Sequence, residues 1–277
     1  MARTRKLYSV LTRRGPHKVL RGDLSFAGIP GVVYTPATGF HLPGLAFGHD
    51  WLTDVDHYSG TLKHLASWGI VAAAPNTQRS VAPSVLNLSY DLGSTLDVIS
   101  GVRLGPGQIS VDPARLAVAG HGFGGSAAVF AAAASKVKAI AAVFPAVTKP
   151  SAEEQAATLK VPGLVLATPD DTKSLRTDAL EVAQAWDGAQ LRVVQKAQAA
   201  AFAERRRVLS LMGLQGSRSK TQKAVRALMT GFLLFHLTGD KAYREFADAE
   251  AKLPGTRLPN PDAPALTHED RIVALFR

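Results

Sequence analysis

The chain contains no cysteine. A disulfide framework, a thiolate zinc site and a cysteine nucleophile are therefore excluded. Charged residues make up 19% of the sequence and aromatic residues only 7%, and no recognised nucleic-acid motif is present. Long apolar runs are also missing. The basic start has a short apolar stretch before Arg13 and Arg14, whereas a secretory signal needs about 7–15 apolar residues. The longest apolar helix candidate, 227–237, falls short of the roughly 20 residues of a membrane span. The expectation is a cytoplasmic protein, with association at the inner face of the membrane as the variant its basic segments allow.

What remains is a chain of 277 residues, 46% hydrophobic. That is too apolar for a disordered chain and long enough for one large core. The net charge of +10 is uneven. Residues 1–22 hold seven basic groups and no acid, and residues 192–226 hold nine against Glu204 alone. The rest is mildly acidic. Such charge permits an anionic partner without naming one.

Short apolar runs alternate with helical patterns. Strands are expected at 31–34, 44–47, 70–74, 116–119, 139–144, 163–167 and 191–194, and most are apolar on both faces, as buried parallel strands are. Helices are expected at 58–68, 90–102, 125–135, 177–186 and 221–237. This alternation predicts an α/β domain with a mainly parallel central sheet and helices on both faces. No internal repeat is visible. The organisation expected is a basic N-terminal arm, 1–14, which is either flexible or a helix packed on the body, and one domain over 15–277. Residues 254–264 read as a surface tail loop before a last short helix.

The most informative stretch runs from Arg115 to Ser126. A short strand leads through Gly120-His121-Gly122-Phe123-Gly124 into an Ala-rich helix. This is the context of a nucleophile elbow, G-x-S-x-G, with glycine where the serine should stand. A dinucleotide loop would need the turn after the first strand and an acid about 20 residues on, and neither fits.

With these residues the chain resembles the α/β-hydrolase superfamily, and within it the dienelactone-hydrolase and bacterial cutinase-like polyester-hydrolase branch. The likeness runs from about Arg14 to Asp248. It is carried by Arg14-Gly15-Pro16, Gly48-His49-Asp50, Leu65-Ala66-Ser67-Trp68-Gly69-Ile70-Val71 and Val111-Asp112-Pro113-Ala114-Arg115-Leu116. Further on, Val161-Pro162-Gly163-Leu164-Val165-Leu166, Asp170-Asp171-Thr172 and Leu237-Thr238-Gly239-Asp240-Lys241-Ala242-Tyr243-Arg244 extend it. The resemblance implies the α/β-hydrolase fold without a large lid. It places the nucleophile at Gly122, the acid at Asp171 with Asp170 beside it, and the general base near Ala201, in a segment without histidine. His236 is out of register. Two of three triad members are thus missing. Serine and histidine act as a unit, and removing either costs about 10⁶ in turnover in a serine protease. Ser126, one helical turn on, cannot substitute.

The oxyanion hole implied by the resemblance uses backbone N–H groups of Phe123 and His49. Asp50, Trp51 and His121 would line the pocket, with Trp51 as its wall. His49, Asp50, Asp54, Asp56 and His57 hold metal-ligand chemistry, but a loop with Asp56 capping a helix from His57 suffices. No metal and no cofactor is expected.

Three functions follow as expectations. The first is a catalytically inactive protein binding a small acyl or ester-like ligand or a protein partner. The second is a weak carboxylic-ester hydrolase using a water positioned by His121, His49 or Asp171. The third is an anionic-surface binder, for lipid or nucleic acid, working through Arg205, Arg206, Arg207 and the N-terminal arm. A solvated basic surface without function stands beside the third.

Overall fold

The computed structural model describes residues 2–171, 177–204 and 215–258. Its centre is a nine-stranded sheet in the order β1-β2-β4-β3-β5-β6-β7-β8-β9. The strands are β1 (Val19–Asp23), β2 (Gly31–Pro36), β3 (Gly39–Gly48), β4 (Val71–Pro75), β5 (Ile109–His121), β6 (Ala139–Val143), β7 (Gly163–Ala167), β8 (Ala189–Val194) and β9 (Thr256–Arg257). Strands β3 to β8 pair in parallel. Strands β1 and β2 at one edge and β9 at the other pair antiparallel. This is the expected α/β-hydrolase-type arrangement.

Successive strand residues point to opposite faces, and both faces are covered. Leu45, Phe47, Ala117, Ala119, Leu164 and Leu166 face one core. That core is closed by α1 (Ala2–Leu11), α2 (Ser59–Ser67) and α7 (Gln215–Thr238). Their alternating neighbours Ala46, Val118 and Val165 face the other. There α3 (Val85–Gly101), α4 (Phe123–Ala134), α5 (Ala152–Ala156) and α6 (Ala179–Ala185) pack. None of the described helices is long and apolar enough to cross a membrane.

Of the two forms expected for the N-terminal segment, residues 2–11 take the helix packed on the body, and other expectations change. Thr4, Leu7, Tyr8 and Leu11 recur at helical spacing and turn inward, Leu11 completely, while Arg3, Arg5 and Lys6 face out. Helix α3 begins five residues earlier than expected, because the Ser84 hydroxyl caps it by accepting the Asn87 N–H at 3.2 Å. Strands β1 and β9 are additions to the expected set, and 254–258, the described part of the expected surface loop 254–264, is a turn that enters β9. The last short helix expected after it lies outside the described residues, as do Arg205, Arg206 and Arg207.

One cation of the second basic segment is internal and another is partly buried. Arg192 is fully buried, and its guanidinium donates to the carbonyls of Ala251 (2.7 Å) and Asp248, tying 248–251 to β8. Burial pulls its pKa down, against the opposing charges of Asp248 and Glu250. Arg226 pairs with Glu204 at 2.6 Å.

Candidate functional site

Strand β5 ends at His121 and α4 starts at Phe123, so one residue makes the turn. That residue, Gly122, has φ 53° and ψ −118°, a conformation strained for any residue with a Cβ. Its N–H donates to the Val143 carbonyl at 2.9 Å, and its carbonyl accepts from Gly125, Ser126 and Ala146. Helix and sheet meet so closely that a Cβ on Gly120 would lie 2.0 Å from the Gly124 carbonyl oxygen. One on Gly124 would lie 2.2 Å from the carbonyl carbon of Gly48. The glycines at 120 and 124 are therefore steric requirements of an elbow-like turn.

A Cβ on Gly122 would meet something different. It would lie 2.0 Å from Oδ1 of Asp50 and 2.4 Å from its Cγ. Asp50 follows β3 and extends its carboxylate into the elbow. Oδ1 accepts the Phe123 N–H at 2.9 Å and the Trp51 N–H at 2.8 Å. Two convergent backbone donors are the device that stabilises a developing oxyanion in acyl transfer. Here the chain's own carboxylate takes both.

Behind Asp50 lies a buried polar pair. The Tyr58 hydroxyl accepts the Asp50 N–H at 3.1 Å and lies 2.8 Å from Nδ1 of His121. Oδ2 of Asp50 is 3.9 Å from the same nitrogen. Burial pushes the His121 pKa down, against opposing contributions from the Asp50 charge and the Ala199 carbonyl. Burial and then the Asp50 charge push the Tyr58 phenol up. The arrangement fits a neutral imidazole that accepts from Tyr58 at Nδ1 and carries its proton on Nε2. Among the described residues that Nε2 makes no hydrogen bond of ordinary geometry, and the Ala199 carbonyl favours a proton on the ring. The ring is boxed by Phe202, Tyr58 and Phe144, at centroid distances of 5.2, 5.8 and 6.0 Å.

The other expected site residues are distributed as follows. Ala201 is buried in a short 3-10 turn, Ala199–Ala201, and its neighbour Phe202 packs against the His121 ring. Asp171 is buried and closed into its own turn. Its carboxylate accepts the Thr168 hydroxyl at 2.5 Å and the Thr168 N–H at 2.9 Å, while burial raises its pKa overall. The His49 ring is fully buried, with Nδ1 2.9 Å from the Asp50 carbonyl and Nε2 2.7 Å from the Thr77 carbonyl. The N–H that converges with that of Phe123 belongs to Trp51. The Trp51 side chain is half exposed, and its indole N–H donates to the Val81 carbonyl at 3.2 Å. Ser126 is buried and donates to the Ala146 carbonyl.

The helix cap is corrected. Asp54, not Asp56, caps the 3-10 turn Val55–Tyr58, in a reciprocal box with His57. Burial pushes the Asp54 carboxyl up, but the bond to and charge of His57, 2.7 Å away, outweigh it and leave the pKa low. The N-terminus of α2 is held by Glu204. Its carboxylate accepts the N–H of Gly60 (2.7 Å), the N–H of Thr61 (2.8 Å) and the Thr61 hydroxyl (3.0 Å).

Asp50, Tyr58 and Phe202 carry more of this site than the sequence disclosed. Asp50 was legible as a pocket residue. Nothing in the sequence signalled that it fills the place left by Gly122, because that depends on where β3 ends relative to β5. No protein-family model matches the chain, and no curated protein matches it.

Proposed function

We propose that this protein is a catalytically silent α/β-hydrolase-fold protein of the dienelactone-hydrolase and cutinase-like branch, acting by binding a protein partner. The observation that carries the reading is the Asp50 carboxylate in the elbow. It takes the donors an ester carbonyl would need and puts a negative charge where the oxyanion would form. An acyl ligand at the elbow would have to displace it.

The rim supports a protein partner. Trp51 and Leu52 are 52% and 59% exposed, and Val81, joined to Trp51 by a hydrogen bond, is 80% exposed. Leu52 sits at φ 52°, an unfavourable conformation for a bulky residue. Strained, exposed apolar groups are more costly to keep than to lose, which favours a contact role.

A hydrolase using a bound water is the weaker reading. Its base would have to reach solvent, yet His49, His121 and Asp171 are 0%, 1% and 2% exposed. The test is turnover of short p-nitrophenyl esters and labelling by a serine-directed phosphonate, beside a Gly122→Ser/Ala201→His variant. No turnover and no label are expected in the natural chain. Turnover that vanishes on changing His121 would overturn the reading.

A further inference from the structure

Three cations from separate segments meet along one groove. Arg14 follows α1, Arg21 lies on the edge strand β1, and Lys63 lies on α2 one turn beyond Ser59 and Gly60. The groove has a volume of about 350 Å³. Tyr34, the register partner of Arg21, forms part of its wall. Glu204 is the one acid in the lining, and it is engaged by the α2 N-terminus and by Arg226. Its charge is taken up by those partners rather than by Arg14, Arg21 or Lys63. Among the described residues Arg14, Arg21 and Lys63 form no salt bridge within 4 Å, and the carboxylate acting on Arg21, Asp23 on the same strand, is exposed to solvent.

The backbone under these cations is fixed. The Arg13 carbonyl accepts the Trp68 indole N–H at 3.0 Å, and the Gly15 N–H donates to the Ser67 hydroxyl at 2.8 Å. Gly15 is pressed so tightly to α2 that a Cβ there would lie 2.3 Å from the Ser67 carbonyl oxygen. Arg14 is therefore anchored on both sides. Arg21 is set by its antiparallel register with β2. Long side chains on fixed bases lose less freedom on binding than those on a loose arm.

We propose that this groove binds a phosphate-bearing anion, either a free phosphomonoester or a phospholipid headgroup. Two guanidinium forks suit phosphate oxygens bidentately, and an ammonium adds a point charge. The volume exceeds that of one phosphate and leaves room for the group it esterifies. The site lies on the β1 edge, and the inference holds whether or not the elbow is silent.

The test uses the full chain with two probes. Phenyl phosphate is titrated by phosphorus NMR, and flotation is measured with phosphatidylglycerol and phosphatidylcholine vesicles, both at low and high salt. The variants are Arg14→Gln/Arg21→Gln/Lys63→Gln and a control, Lys136→Gln/Lys138→Gln/Lys160→Gln, which removes the same charge elsewhere. The singly changed Arg21→Gln keeps the test informative if the triple variant does not fold. Saturable binding, weakened about tenfold or more by the groove variant and unchanged in the control, is expected. Phenyl phosphate binding assigns a free ester. Binding only to phosphatidylglycerol vesicles assigns a headgroup. Absence of binding to both probes overturns the proposal, as does equal loss in the two triple variants.

Discussion

The Asp50 carboxylate stands where a side chain on Gly122 would stand, with Oδ1 2.0 Å from the Cβ position of residue 122. The two positions are therefore coupled: the glycine makes room, and the carboxylate satisfies the N–H groups of Phe123 and Trp51. A side chain placed at 122 therefore has to displace the Asp50 carboxylate.

Gly122→Ser is expected to destabilise the fold by about 2–3 kcal/mol, through collision with Asp50 and through the positive φ. Adding Asp50→Gly should recover part of that loss. The coupling in a double-mutant cycle should be about 0.5–3 kcal/mol. Urea unfolding measures it. Strict additivity would show that Asp50 does not occupy the space.

Acid should weaken the protein through its histidines. Burial, with the charges of Arg226 and Arg14, pulls the pKa of His64 from 6.5 to about 3. As pH falls below 6.5 the unfolded chain takes up this proton and the folded chain does not, so stability is full above 6.5 and lost on the way toward 3. Burial moves His121 and His236 the same way. Asp171, raised by burial, works in the opposite sense. Each depressed histidine contributes a slope of at most about 1.4 kcal/mol per pH unit. His64→Gln should flatten the dependence of urea midpoints on pH between neutrality and mild acid. An unchanged slope would show that His64 is not held neutral.

Glu204 joins the segment beside the elbow to two helices. Glu204→Ala leaves the amides of Gly60 and Thr61 unpaired and Arg226 without its partner. A loss of about 2 kcal/mol is expected. Glu204→Gln, which keeps acceptor oxygen and shape, should lose less. Hydrogen exchange at the Gly60 and Thr61 amides should quicken in the alanine variant. Unchanged exchange there would mean that water replaces the cap at no cost.

Elements are legible in the sequence where one residue pattern determines one element. Ala-Ile-Ala-Ala-Val at 139–143 and Gly-Leu-Val-Leu-Ala at 163–167 are apolar on both faces, and both are buried parallel strands. Strand β1 escaped because Val-Leu-Arg-Gly-Asp has a mostly exposed edge and carries charge. Strand β9 is two residues long and exists only through pairing with β8. In sequence Arg192 is indistinguishable from the other cations of 192–226, because a sequence does not show which arginine is surrounded by carbonyls.

By itself the sequence determined the alternating α/β pattern, the close glycine turn at 120–124, a glycine at 122 and a segment without histidine at 193–204. Each follows from residue identity at short range: apolar period, lack of a Cβ, or lack of a functional group. Only the tertiary structure decided that Asp50 fills the elbow, that Glu204 holds α2, and that Arg14, Arg21 and Lys63 share a groove. Those relationships join separate segments of the chain, and sheet order and helix packing bring them together.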